Sequence, residues 1–137
     1  MAPNDFNEKI IAEFRANDGV VGGPFEGVPL LLLHHRGRQS GQARVTPLAY
    51  QKRDQAWAIF ASYAGAPVHP AWYANLMAAP DTIIEVGAET VEVRAREAQG
   101  SERESIWGAQ KDAMPGFADY EEKAGARVIP VIVLERR

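Results

Sequence analysis

The chain has 137 residues, a net charge of −3, three histidines and no cysteine. That length suits one domain able to bury a core without staples, expected to span 1–137 with a helix and loop over 1–27. Without cysteine there are no disulfides, thiolate metal sites or catalytic thiol, and the acidic balance argues against nucleic acid as a partner. The opening MAPNDFNEKI lacks a basic region followed by an apolar stretch, so no signal peptide is expected. The run Leu30–Leu33 is far too short to cross a bilayer. A cytoplasmic home is expected, with a peripheral place at the inner membrane face as the alternative.

Asp5 to Asn17 reads as an amphipathic helix. Phe6, Ile10, Ile11 and Phe14 share a face, and Asp5 with Glu8 has capping-box spacing. The stripe suits packing on a barrel better than lying on a membrane, because the polar face mixes Glu8 and Glu13 with Lys9 and Arg15. Gly19 to Gly27 is a glycine-rich loop. Val28 to His35 is a continuous apolar strand, Arg36 to Gln42 a turn, and Arg44 to Gln51 a second strand. Lys52-Arg53-Asp54 turns into a third strand, Gln55 to Ala61, giving an antiparallel meander. Ser62 to His69 is a loop. Pro70 suits the first turn of a short helix through Met77. Thr82 to Val86 and Glu89 to Arg96 form a hairpin about Gly87-Ala88. In its second strand, Val91, Val93 and Ala95 alternate with Glu92, Arg94 and Arg96, implying one buried face. Ser101 with Glu104 opens a helix to about Asp112, Pro115-Gly116 breaks it, and one further helical turn carries Phe117 and Tyr120. Val128 to Leu134 is a final apolar strand. The sum is an α+β fold: about six mainly antiparallel strands in a small, nearly closed barrel with flanking helices.

Charge is segregated along the chain. No carboxylate lies between Glu26 and Asp54, a stretch holding Arg36, Arg38, Arg44, Lys52 and Arg53, and no Lys or Arg lies from Asp54 to Val93. Within the basic stretch, the segment from Gly37 to Arg44 pairs glycines that can expose successive N–H groups with flanking guanidiniums. That pattern suits an anion-binding nest and equally a hairpin turn with solvated arginines. The histidines make no metal site: His34 and His35 point to opposite faces of a strand, and His69 is remote from both. Trp57 sits at strand spacing and reads as core. Tyr63, Phe117 and Tyr120 fall in loop or broken segments, where pocket lining competes with packing.

Three blocks, LLLHHRGRQSGQARVTPLAY, FASYAGAPVHPAWYANLMAAPD and RVIPVIVLE, follow one another as in the deazaflavin-dependent nitroreductase family, which this chain resembles over nearly all of its length after Val28. The resemblance implies an FMN-binding-like split β-barrel that uses coenzyme F420 to pass a hydride to an electron-poor acceptor: a quinone, an activated enone or a nitroaromatic. It implies Arg38, Gln39, Ser40, Gly41 and Arg44 around the cofactor's phosphate and acidic tail, with Thr46 and Pro47 beside them. Ser62, Tyr63 and Ala66 would approach the ring, and Trp72 and Asn75 would support it. In a pocket otherwise poor in acids, Tyr120 or Ser62 is the candidate to donate a proton to the acceptor oxygen or polarise it. Three positions depart from the pattern. Gln39 stands where many members have Lys, Tyr63 where many are basic, and Met114 with Phe117 where a nitroreductase-type member has tyrosines. An FMN- or haem-binding barrel and a non-catalytic F420-binding protein are the alternatives, and a homodimer is common in this superfamily.

Overall fold

A computed structural model describes residues 5–137, and for Asp5 the backbone alone; the Asp5–Glu8 capping box therefore lies outside the described residues. Helix α1 (Asp5–Ala16) leads to strands β1 (Leu30–Arg36), β2 (Ala43–Ala49), β3 (Gln51–Arg53) and β4 (Ala56–Phe60). Helix α2 (Ala71–Ala78), the hairpin β5 (Asp81–Val86) and β6 (Glu89–Glu97), helices α3 (Gly100–Ala113) and α4 (Gly116–Ala124), and strand β7 (Val131–Arg136) complete the chain.

The strands form a seven-stranded sheet in the order β2-β1-β5-β6-β7-β4-β3, with every pairing antiparallel. The expected meander is therefore two separate hairpins. β1–β2 ends one side of the sheet and β3–β4 the other, because β4 pairs with β7 instead of β2. Lys52 and Arg53 belong to β3, and the turn falls at Asp54-Gln55, where Asp54 takes φ 44°. The edge strands β2 and β3 are separated only by Tyr50. Two residue steps span at most about 7 Å, so the sheet must curl until its edges nearly meet. That gives the split barrel.

Burial follows from the curl. The aliphatic runs of β1 and β7 are continuous because both of their faces are covered. Leu31, Leu33, Ile132 and Leu134 point into the barrel with Trp57, Trp72 and Leu76, which places Trp57 in the core as expected. Val131 and Val133 meet Trp107 and Phe117 under α3 and α4. Leu30 and Leu32 meet Ile10, Phe14 and Val21. The α1 stripe thus packs on the barrel, although its first member, Phe6, stays exposed beside Phe25 at 6.1 Å. Arg15 fastens the same helix to Glu85 of β5 through Nε and Nη2, at 3.0 and 2.7 Å. The Ser101–Glu104 capping box does not start α3; the helix opens at Gly100, with Gln99 before it and no side-chain cap. The turn carrying Phe117 and Tyr120 extends to a nine-residue helix.

Phe14 is 1% exposed. Phe14→Ala should therefore cost about 3–5 kcal/mol in urea unfolding. A loss under about 1 kcal/mol would mean that α1 is not seated on the sheet.

Candidate active site

The turn 37–42 is closed by its own backbone. Gly37 N–H donates to Gln42 O at 2.9 Å and Gly41 N–H to Gly37 O at 2.7 Å, while Gln42 N–H donates to Ser40 Oγ at 3.1 Å. Gly41 takes φ 71°, where a side chain would be strained. Arg36 secures the turn by donating to Gly41 O at 2.7 Å. The glycine amides are thus consumed by the turn. Among the described residues, the amides of Gln39 and Ser40 have no protein acceptor. They remain available to an anion beside the exposed side chains of Arg38 and Arg44.

A buried relay holds this turn to the barrel. The Arg38 N–H donates to Asn75 Oδ1 at 3.1 Å, and Asn75 Nδ2 donates to His35 Nδ1 at 3.1 Å. His35 must then carry its proton on Nε2, which donates to Thr46 Oγ1 at 2.8 Å. Thr46 is left with its own hydroxyl hydrogen to give to a partner in the cleft. Burial pushes the His35 pKa down to about 4, assisted by the nearby charges of Arg44 and His34, so His35 is neutral at pH 7. His34, on the opposite strand face, bonds Glu85 at 2.7 Å.

Two cavities open around this relay. The polar one, of about 620 Å³, is lined by Arg38, Gln39, Ser40, Arg44, His35 and Asn75 among others. The apolar one, of about 700 Å³, is lined by Pro47, Ser62, Phe60, Met114, Phe117 and Tyr120 among others. Thr46, Tyr63, Pro70 and Trp72 line both, which makes them one cleft with two ends. Among the described residues no carboxylate lines either end. Trp72 and Asn75 reach it from one face of α2, at i, i+3 spacing.

The loop after β4 forms one wall. Ser62 is buried, and Tyr63, Ala64 and Gly65 follow with φ of 48°, 52° and 78°, all left-handed. Glycine is required at Gly65, since a Cβ there would come within 2.8 Å of Lys123 Cβ and 2.9 Å of Tyr120 O. α4 forms the lid of the apolar end, held by an aromatic cluster. Phe117 meets Phe60 at 5.7 Å, Trp107 at 6.1 Å and Tyr120 at 5.3 Å, and Trp107 Nε1 donates to Glu121 at 2.5 Å.

Of the site residues expected from the sequence, eleven line the cleft: Arg38, Gln39, Ser40, Arg44, Thr46, Pro47, Ser62, Tyr63, Trp72, Asn75 and Tyr120. Gly41 and Ala66 do not; the first shapes the turn, and the carbonyl of the second accepts from Arg127 at 2.9 Å. Sequence reasoning missed His35, although the strand alternation that separated it from His34 had already turned one of the pair inward. It also missed Arg127, which opens the RVIPVIVLE block but to which the resemblance assigns no role. Among the described residues, no three His, Asp or Glu side chains gather as a metal site.

The cleft of this curled antiparallel barrel runs from a cationic turn, with no carboxylate among the described residues, to an apolar, aromatic-lidded chamber, an arrangement that suits an elongated ligand with one anionic and one apolar end. Comparison with known proteins narrows the class. The sequence model of the F420H(2)-dependent quinone reductase family matches residues 8–136. An F420H(2)-dependent quinone reductase of Mycobacterium tuberculosis, Rv1261c, is 35% identical over 130 residues, covering 92% of this chain and 87% of that protein. Among solved structures, an F420-H2 dependent reductase, FDR-A, is 36% identical with a TM-score of 0.71, covering 78% of this chain and 94% of that one. A chain described as a domain-swapped dimer is 33% identical with a TM-score of 0.73, covering 98% and 100%. A heme storage protein from Vibrio cholerae, 14% identical with a TM-score of 0.60 over 96% of this chain and 90% of that one, shares the fold alone. The chain belongs to the F420H(2)-dependent quinone reductase family.

A histidine held neutral by burial binds fewer protons in the folded chain than in the unfolded one. Its contribution to stability is therefore complete above the unfolded pKa of about 6.5 and is lost as pH falls toward 4. The parent should lose on the order of 1–2 kcal/mol from this source between pH 7 and pH 5, measured by urea unfolding, and His35→Gln should lose clearly less over the same interval. Equal losses would show that His35 is not held neutral.

Proposed function

We propose that this protein reduces quinones with electrons from reduced coenzyme F420, and that the two ends of its cleft divide the task. The observation that carries the reading is the continuity of the cleft: Thr46, Tyr63, Pro70 and Trp72 belong to both the cationic and the apolar end. When bound, reduced F420 supplies a hydride, and with it the two electrons.

The chain's own part is holding, drying and protonating. Arg38, Arg44, the Ser40 hydroxyl and the amides of Gln39 and Ser40 take the phosphate and acidic tail, as charge-assisted hydrogen bonds at a turn that no carboxylate of the described residues opposes. Gln39 adds an amide where a cation would add charge. Thr46, its hydroxyl aimed by His35, and the walls from Pro47, Ser62, Tyr63, Trp72 and Asn75 fix the ring. Gly41 and Ala66 act through the turn and the loop they shape. Phe60, Met114 and Phe117 exclude water from the acceptor. The Tyr120 hydroxyl, on the lid, gives a proton to the acceptor oxygen, with the Ser62 hydroxyl as the other donor within the same chamber. An activated enone or a nitroaromatic would use the same chamber, being flat and electron-poor. Haem-binding barrels resemble this chain at under 25% identity, in fold only, whereas relatives above 30% are named for F420, which favours the deazaflavin. The same reading takes residues 1–137 as one functional unit, and a homodimer finds support in the domain-swapped relative. Among the described residues no helix is long and apolar enough to cross a membrane.

Two variants separate the ends. Arg44→Ala should weaken F420 binding by about 1.5–3 kcal/mol in a folded protein. Tyr120→Phe should leave binding nearly intact and slow oxidation of bound reduced F420 by a simple quinone by roughly 10²- to 10⁴-fold in stopped flow. Unchanged affinity in the first removes the phosphate role. An unchanged rate and pH profile in the second removes Tyr120 from proton transfer.

A further inference from the structure

Arg127 lies in the short connection between α4 and β7, outside the cleft lining. Its guanidinium is committed to one stretch of backbone. Nη1 donates to Ala61 O at 3.0 Å, Nη2 to Ser62 O at 2.7 Å and Nε to Ala66 O at 2.9 Å. Nη1 also meets His69 Nδ1 at 2.8 Å. Because the guanidinium only donates, His69 accepts there with its lone pair. These contacts bracket Tyr63, Ala64 and Gly65, the residues in the left-handed region. Two of them are not glycine, and non-glycine residues hold that conformation only where the surroundings over-determine it.

The bracketed loop is also a wall of the cleft. Ser62, Tyr63 and Ala64 line its apolar end, and Gly65 lies against Tyr120 and Lys123 of α4 so closely that a Cβ could not be accommodated without movement. One guanidinium therefore fixes the wall beside the ring and the wall's distance from the lid that carries Tyr120. It does so at three carbonyls that would otherwise have no side-chain donor in this group of contacts. A lysine could not reproduce this, since it offers a point charge in place of a planar fork.

We infer that Arg127 is the positioning residue of the reaction: it touches neither cofactor nor acceptor, and it holds the ring-side loop in the strained shape that sets the ring against the acceptor and lid. The inference rests on the proposed use of F420 at this cleft. Its consequence is a split between binding and chemistry. Ser62 and Tyr63 also wall the ring, but the phosphate turn stands on β1, β2 and α2, away from Arg127, so the charge-assisted contacts that carry most of the cofactor affinity survive loss of the clamp. Hydride transfer does not, because reacting groups displaced by about 1 Å lose on the order of 10²-fold in rate.

The test compares the parent with Arg127→Lys and Arg127→Met by three readouts. In protein without cofactor, amide hydrogen exchange over 62–66 should accelerate at least about tenfold while the core strands β1 and β7 keep their protection. F420 affinity, by fluorescence titration, should change less than about threefold. Single-turnover oxidation of reduced F420 by a simple quinone should slow by about 10- to 100-fold. Should Arg127→Met fail to fold, the lysine variant carries all three. Unchanged exchange over 62–66 in a folded variant overturns the clamp, as does loss of affinity in step with rate. A parent that binds no F420 contradicts the proposed function instead, and the exchange measurement still decides whether Arg127 holds the loop.

Discussion

Tyr50 is the single residue between two strands that lie at opposite edges of a seven-stranded sheet. Everything else in the molecule is arranged around that constraint. With Ala49 and Gln51 held within about 7 Å of each other by the chain, the sheet cannot lie flat. Its curl brings the β1–β2 hairpin and the loop after β4 to the same side. The cationic turn belongs to the first and the left-handed loop to the second, so the two walls of the cleft come from segments more than twenty residues apart. The Tyr50 amide reinforces the corner by donating to Pro29 O at 3.1 Å.

The cleft's two ends call for opposite environments, and the fold supplies both without placing a buried charge inside the barrel. The arginines of the turn stay in solvent, where their desolvation cost is small. What passes inward from the turn is a neutral relay, from the Arg38 amide through Asn75 and His35 to Thr46. A protonated His35 would put a cation beside Arg44 in a buried site, and its depressed pKa expresses that cost. At the far end the chamber is closed by aromatic edges instead of polar groups. The hydroxyls of Ser62 and Tyr120 then stand in surroundings of low polarity, where any hydrogen bond they make is strengthened.

Much of this was legible in the sequence, for physical reasons that can be named. Runs such as Leu30–Leu33 and Val131–Leu134 announced strands buried on both faces, and the alternation of Val91, Val93 and Ala95 announced one buried on a single face. Segregation of arginines from carboxylates marks the polar end of the cleft without reference to any family, and the family resemblance points to the walls. Three things were hidden. The placement of β3 and β4 is a pairing choice made by β7, seventy residues on, and no local pattern encodes it. The capping-box spacing at Ser101 was overridden by a helix that begins one residue earlier. Arg127 opens the RVIPVIVLE block, but it acts on backbone carbonyls about sixty residues away, so its neighbours mark the position without revealing its role.

A cleft with a cationic turn at one end and an apolar chamber at the other suits a deazaflavin with a polyanionic tail. Parallel titration of the cofactor-free protein with F420, FMN and haem puts that fit to the test. F420 should bind saturably and at least about tenfold tighter than FMN, a difference of about 1.4 kcal/mol, with no stoichiometric haem complex. FMN binding as tight as F420, or stoichiometric haem binding, would contradict it.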